Sequence, residues 1–248
     1  GMGGWEPGGG RGRAAVSMWA VAGGGCPFAG AGATDHFRDG TGNRWGPNGR
    51  VGPMRVLADT CMEAGCGFPF HPHRDMEIVT VVCEGAVSHQ DTLGNRGRIP
   101  AGGIQAMTTG TGIQHTESNL ETTRCRIYQV WIEPSKTGLA PSYVDVKRPG
   151  DGAAGESWAL ASGNPDHAAP ATIAVDAAIL RARFDRGRPA IYRVPTRRHT
   201  YIVAAIGAVA VNGVALGERD GARIDDEAEL RFESAEPGEV VIFDLPLA

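Results

Sequence analysis

Apolar residues in this chain come in short runs cut by Gly, Pro and Asn, and regular patterning starts near Pro53. Met54 to Asp59 reads as a strand. So does Glu77 to Cys83, where β-branched residues are dense. Ala86 to Asp91, Ile104 to Thr108 and Arg126 to Ile132 follow, with turns at Leu93-Gly94-Asn95 and Pro100-Ala101-Gly102-Gly103. Short strands at close spacing, with no helical period between them, predict a sandwich or a barrel.

The pattern fades after about residue 145, where Lys147-Arg148-Pro149-Gly150 and later Gly163-Asn164-Pro165 break any periodicity. A second β-rich segment follows. Tyr201 to Ile206, Ala208 to Val211, Glu229 to Glu233 and Glu239 to Leu245 read as strands, and Asn212-Gly213 between Val211 and Val214 is a strong hairpin signal. The expected organisation is all-β with two tandem barrels. Residues 1–45 form a Gly-rich arm of coil with one short strand at most, 46–146 a first barrel, 147–170 a linker and 171–248 a second barrel. No residue-level repeat links the two halves. In the arm, Arg11 and Arg13 precede the apolar run Ala14 to Ala22, the outline of a signal peptide. That run is weakly hydrophobic and its cleavage pattern poor, so a flexible arm is the preferred reading.

Composition narrows the function. The 248 residues carry a net charge of −4 with no basic block, which excludes the phosphate-neutralising surface of a direct nucleic-acid binder but leaves a protein partner open. The 5 cysteines are odd in number and contain no Cys-x-x-Cys. A disulfide framework is therefore not expected, and a reducing, cytoplasmic location is. No apolar run is long enough to span a bilayer, so no membrane partner is expected.

The most informative stretch is Gly67-Phe68-Pro69-Phe70-His71-Pro72-His73-Arg74-Asp75-Met76-Glu77. On a strand, residues two apart share a face, so His71 and His73 project together, and Asp75 and Glu77 follow if the strand stays regular. Pro72 between them marks a strand start or a sheet edge. His115 and Glu117, in Gly110-Thr111-Gly112-Ile113-Gln114-His115-Thr116-Glu117, repeat the logic. An isolated His-x-His is as often incidental as functional. Here, however, 3 of the chain's 7 histidines fall in two short segments. Three neutral imidazoles and one carboxylate form a mixed N/O set that suits iron, manganese, copper, nickel, cobalt or zinc. His89 reads as a hydrogen-bonding sheet residue. His36, His167 and His199 are scattered and carry no assignment.

These residues resemble a known family. His71-x-His73-x₃-Glu77 with Gly94-x₅-Pro100-x-Gly102 is similar to the two cupin motifs. A cupin normally has a histidine where this chain has Gln105. The pirin family resembles this chain in having Gln there and drawing its last two ligands from a later His-x-Glu. Gly67 to His73, Met76 to Thr80, His89-Gln90-Asp91 and Gly110 to Glu117 are all similar to pirin signatures, and Val240 to Pro246 looks like the family's closing strand. The resemblance implies two cupin (double-stranded β-helix) barrels with one divalent metal, iron(II) before the alternatives, in the N-terminal barrel only. It implies His71, His73, His115 and Glu117 as ligands, with Glu77 outside the ligand set. The first fifty residues do not match the family's usual start.

The resemblance also implies two functions. The first is a flavonol (quercetin) dioxygenase that takes a small aromatic substrate and O2, with the metal as Lewis acid and Glu117 as the proton acceptor. The second is a non-catalytic, metal- or redox-responsive module that binds another protein. Phe68, Phe70, Met107 and Trp131 flank the ligand strands as candidate substrate contacts, although apolar residues beside a barrel site are usually core.

Overall fold

The structure, a computed structural model, describes residues 16–19, 31–37, 49–150 and 152–247. These residues form strands and turns, with no helix among them. Two strands come from the arm, β1 (Val16–Trp19) and β2 (Ala31–Asp35). The first half continues with β3 (Met54–Met62), β4 (Gly67–His73), β5 (Glu77–Glu84), β6 (Ala86–Asp91), β7 (Arg96–Pro100), β8 (Ile104–Thr108), β9 (Ile113–Ser118), β10 (Cys125–Ile132) and β11 (Ser142–Val146). The second half opens with β12 (Ser157–Ser162), β13 (Ala171–Thr172), β14 (Ala178–Phe184), β15 (Ala190–Arg193) and β16 (Arg198–Ile206). It closes with β17 (Val209–Val211), β18 (Val214–Leu216), β19 (Gly221–Ile224), β20 (Glu229–Glu233) and β21 (Gly238–Pro246).

Each half pairs a large sheet with a four-stranded one. The first half has the orders β11-β8-β5-β10-β3-β2 and β4-β9-β6-β7, and the second has β1-β19-β16-β21-β14-β12-β13 and β15-β20-β17-β18. The run β8-β5-β10-β3 thus matches β19-β16-β21-β14, and the small sheets match strand for strand. These are two tandem cupin barrels. Their shared plan lies in the topology, although no repeat is visible in the residues.

The two faces of each large sheet do different work, because side chains alternate along a strand. On β5, Val79 and Val81 face the other half; on β10, Tyr128, Val130 and Ile132 do the same. They share one core with Tyr201, Val203, Val241 and Phe243 of the second half. The alternate residues Ile78 and Val82 of β5 and Ile127 of β10 face into the first barrel. Both faces are therefore buried, which explains why these strands read as nearly continuous apolar runs.

Several expectations need correction. The arm supplies two strands: β1 extends the second half's sheet along β19, and β2 extends the first half's along β3. The signal-peptide outline, Arg11 to Ala22, lies mostly outside the described residues. The stretch 147–170, expected as a linker, contains β12, whose Leu160 and Ala161 are fully buried in the shared core. β14 was not expected at all, although Leu180-Arg181-Ala182-Arg183-Phe184 alternates: Leu180, Ala182 and Phe184 enter the second barrel, while Ile179 enters the shared core. The Asn212-Gly213 hairpin is present, with φ of 48° and 82° at its two residues, both positive as a type I′ turn requires. Glu77 does not share a face with His71 and His73. β4 ends at His73, and Asp75 turns the chain at a φ of 49° before β5 begins. Glu77 consequently points toward the second half: its Oε2 accepts hydrogen bonds from Thr108 Oγ1 of β8 at 2.8 Å and from the Ala174 backbone N–H of the second half at 3.1 Å.

β4 and β9 carry the candidate ligands, and Gly67 sets how closely they approach. A Cβ at Gly67 would lie 2.6 Å from Ser118 Cα and 2.8 Å from Ser118 Oγ, contacts that require backbone to move. Gly67→Ala is expected to destabilise the protein by about 1–3 kcal/mol, as overpacking does. It is also expected to weaken metal binding, because β9 would shift with its ligands. Thermal unfolding with and without added metal checks both effects, and an unchanged Tm in both conditions would refute the close approach.

Candidate metal centre

The register of β4 against β9 brings the predicted histidines together. His71 pairs with His115, and His73 with Ile113. His71 and His73 project into the barrel from β4, and His115 meets them from β9. The ring centroids are 4.8 Å apart for His71 and His73, 4.4 Å for His71 and His115, and 5.0 Å for His73 and His115. One ligand atom from each of the three lies within 4.8 Å of the others, and no other such cluster of His, Cys, Asp or Glu occurs among the described residues.

Hydrogen bonding shows that these nitrogens are free for an ion. His71 Nδ1 lies 2.8 Å from the Pro69 carbonyl, which assigns the proton to Nδ1 and leaves Nε2 as a lone pair. His73 Nε2 and both ring nitrogens of His115 are buried without any hydrogen-bond partner. Buried polar atoms normally have partners. Three imidazoles turned toward one point with unused nitrogens fit a transition metal that takes neutral imidazole. Burial, reinforced by repulsion from the neighbouring rings, lowers the pKa of His73 to about 4 and of His115 to about 3. Both rings are thus neutral at pH 7, the form that binds metal.

Glu117 is two residues beyond His115 on the same face of β9, and it is buried. It does not join the three-imidazole cluster. Its Oε2 accepts from Gln129 Nε2 at 2.7 Å, and its Oε1 accepts from Gln105 Nε2 and, at 3.3 Å, from Thr80 Oγ1. These partners occupy adjacent positions on neighbouring strands: Gln129 pairs with Thr80, and Thr80 with Gln105. They form a polar layer across the barrel, between the apolar cluster of Val82, Ile99 and Ile127 and the cluster of Ile78, Met107 and Ile113. Burial raises the Glu117 pKa, while the Gln129 and Thr80 hydrogen bonds oppose that shift. A dication beside the carboxylate would favour its ionised form further.

His89 belongs to the same wall and is the hydrogen-bonding sheet residue expected. It pairs with Glu117 across β6 and β9, and its ring lies 5.4 Å from His115. Asp91 Oδ2 lies 3.0 Å from Nε2, and the Tyr143 ring stacks on His89 at 4.1 Å. The Tyr143 hydroxyl in turn donates to Gln105 Oε1 at 3.2 Å. Of the flanking apolar residues, Phe68, Met107 and Trp131 pack in the barrel interior, whereas Phe70 is half exposed. A cleft of about 480 Å³ opens beside His73, lined by Arg74, Thr92, Ile113 and Gln114 among others. Sequence reading missed Thr80, Gln129 and Tyr143. The available signal was a single polar residue at an inward position of an otherwise apolar strand, as in Ile78-Val79-Thr80-Val81-Val82.

A two-barrel cupin with an imidazole cluster in its first barrel is a narrow class, and comparison with known proteins places the chain within it. The Pirin family model matches residues 47–132, and the model of the quercetinase C-terminal cupin domain matches residues 159–245. The chain is 45% identical over 193 residues to a pirin-like protein of Caulobacter vibrioides, covering 78% of this chain and 83% of that one. It is 38% identical over 196 residues to a quercetin 2,3-dioxygenase of Escherichia coli K12, covering 78% and 82%. The structure of the bacterial pirin YhhW from Escherichia coli in complex with nickel(II) superposes with a TM-score of 0.79 at 31% identity, covering 93% of this chain and 98% of that one. The chain belongs to the pirin family.

The depressed imidazole pKa values carry a consequence for stability. His73 and His115 resist protonation when folded, and so does buried His36, whose pKa burial lowers to about 4. The unfolded chain binds these protons near pH 6.5. Between about pH 6.5 and 4 the unfolded state therefore holds more protons, and stability falls as pH falls. Metal-free protein should lose Tm progressively across that window. A chelator-treated sample whose Tm is flat from pH 6.5 to 4 would contradict the assignment of neutral, buried rings.

Proposed function

We propose that the chain is a metal-dependent dioxygenase of the pirin type, acting on quercetin-like flavonols with O2. The observation that carries this reading is the cluster of three imidazoles, His115 buried and His71 and His73 half-buried, with unpartnered buried nitrogens on His73 and His115, set beside the buried Glu117 carboxylate. The resemblance to an Escherichia coli quercetin 2,3-dioxygenase supplies the substrate class. His71, His73 and His115 would hold one divalent metal, with Glu117 as the fourth protein ligand. Iron(II) is the first choice, and manganese, nickel, cobalt, copper or zinc suit the same mixed donor set. When bound, the metal supplies Lewis acidity for a flavonol hydroxyl and a place for O2.

The chain's own residues do the rest. Glu117 is oriented by Gln105, Gln129 and Thr80 and would accept the proton of the flavonol 3-hydroxyl; burial, by raising its pKa, strengthens it as a base. The cleft beside His73 has the volume for a small aromatic molecule. Ile78, Met107, Ile113 and Trp131 provide an apolar wall that limits water. The second barrel contributes the shared core that fixes the rear of the first.

Metal content tests the ligand set. The purified protein, prepared without a metal-affinity step, is expected to hold one metal per chain. Glu117→Gln should lose much of it, and Glu77→Gln should keep it, because Glu77 faces the second half. The reverse pattern would show that the first-motif glutamate is the ligand. Two equivalents per chain would contradict a single centre.

Turnover tests the chemistry. Metal-loaded protein should consume quercetin and O2 together, and His73→Ala should abolish both. Free metal oxidises quercetin slowly, so variants must be compared at equal bound metal. Binding of quercetin without turnover above free metal, under iron, manganese, nickel and copper in turn, would replace the enzyme reading by that of a metal-responsive binding module.

A further inference from the structure

We infer that Trp131 is a positioning residue of the metal centre: its indole N–H fixes the direction of the Gln129 amide and thereby holds the Glu117 carboxylate in place. The inference deepens the proposed function and rests on Glu117 as a ligand.

Trp131 lies two residues beyond Gln129 on β10, on the same inward face. Its Nε1 donates to Gln129 Oε1 at 2.9 Å. An indole has one donor and no acceptor, so the amide atom that meets it must be the carbonyl oxygen. The amide NH2 is then turned the other way, toward Glu117 Oε2 at 2.7 Å and Thr80 Oγ1 at 3.2 Å. Without the indole, the amide could reverse, because its terminal torsion is broad and two-fold. A reversed amide would set a carbonyl dipole against a buried carboxylate, which is costly in a low-dielectric interior. Trp131 removes that alternative.

The same side chain braces a second group. The Trp131 ring meets His73 edge-on, with centroids 4.9 Å apart and planes at 79°. Its apolar surface packs with Ile78, Met107 and Ile113. One residue thus sets the orientation of an imidazole directly and of the carboxylate through an amide. The packing needs only an aromatic ring, but the amide needs the N–H, and this difference makes the two contributions separable.

The test uses the full chain loaded with cobalt(II) alone. Affinity is read by chelator competition, and carboxylate ligation by the cobalt d–d absorption bands. Gln129→Leu should weaken binding by about 10- to 100-fold, the usual range for groups that orient a ligand. Trp131→Phe should lose about tenfold, the lower end of that range, and shift the d–d bands in the same direction. In the Gln129→Leu background, Trp131→Phe should add nothing. Because Phe leaves space behind, benzothienylalanine at position 131 provides the second variant: it keeps the bicyclic shape, puts sulfur where N–H was and should reproduce the Trp131→Phe loss. Unchanged affinity and bands in the benzothienylalanine protein, or equal losses from Trp131→Phe in both backgrounds, would overturn the inference. If Glu117→Gln weakens binding while these variants do not, only the role of Trp131 fails. If Glu117→Gln itself leaves affinity and bands unchanged, the ligand reading fails and the inference with it.

Discussion

Glu117 is a carboxylate sealed inside a β-barrel, and the build of the centre follows from supplying it with hydrogen-bond donors. An isolated carboxylate in an apolar interior is too costly to keep ionised. The barrel meets the cost with two amides and a hydroxyl at register-matched positions on three strands, Gln129 opposite Thr80 and Thr80 opposite Gln105. These groups offer donors to both carboxylate oxygens. The need also accounts for Gln105 where a cupin ordinarily has histidine. An amide can serve as a donor to the carboxylate at any ordinary pH, whereas a neutral imidazole has a single N–H to give.

The polar layer depends on the two-sidedness of the large sheet. Val79, Tyr128 and Val130 point away from the centre into the core shared with the second barrel, so their strands are clamped from behind. Thr80 and Gln129 point inward from the same strands. A ligand set whose supports sit on clamped strands is preorganised, and its geometry does not have to be established when an ion arrives. The tie between halves includes Glu77, whose carboxylate accepts the Ala174 N–H of the second half. That residue resembles a cupin metal ligand in sequence but serves the seam between barrels.

What could be read from the sequence follows the same physics. The clustering of the three histidines was legible because a period of two on short strands is visible without any partner strand. The strands β5 and β10 were legible from their β-branched content. Thr80 and Gln129 were not, because their meaning depends on register between strands far apart in sequence. β14 escaped although Leu180 to Phe184 alternates, because Arg181 and Arg183 break the apolar run that its buried faces would otherwise show. Those arginines pair across the sheet with Glu239, Arg183 through a 2.6 Å hydrogen bond and Arg181 through a 3.3 Å ion pair, which no local pattern announces. The face of Glu77 was misjudged because three residues, Arg74, Asp75 and Met76, break the strand, and a positive φ at an aspartate leaves little trace in sequence.

The second barrel follows the same plan with no cluster of His, Cys, Asp or Glu suited to a metal among its described residues. Its strands β15 and β20 correspond to the ligand strands β4 and β9, but their inward residues, Ala190, Tyr192, Leu230 and Phe232, form an apolar core. The buried carboxylate there, Asp244, is neutralised within the protein: Arg198 and Tyr192 donate to it, and His167 Nε2 lies 3.5 Å away. A carboxylate already paired with a guanidinium has little left to offer a cation, and the one imidazole nearby is engaged with it. In the first barrel, by contrast, the hydrogen bonds to Glu117 come only from the neutral groups Gln105, Gln129 and Thr80. The difference between a guanidinium and an amide as partner separates a structural carboxylate from one available to an ion, and it is the clearest physical reason for placing the metal in one barrel and not the other.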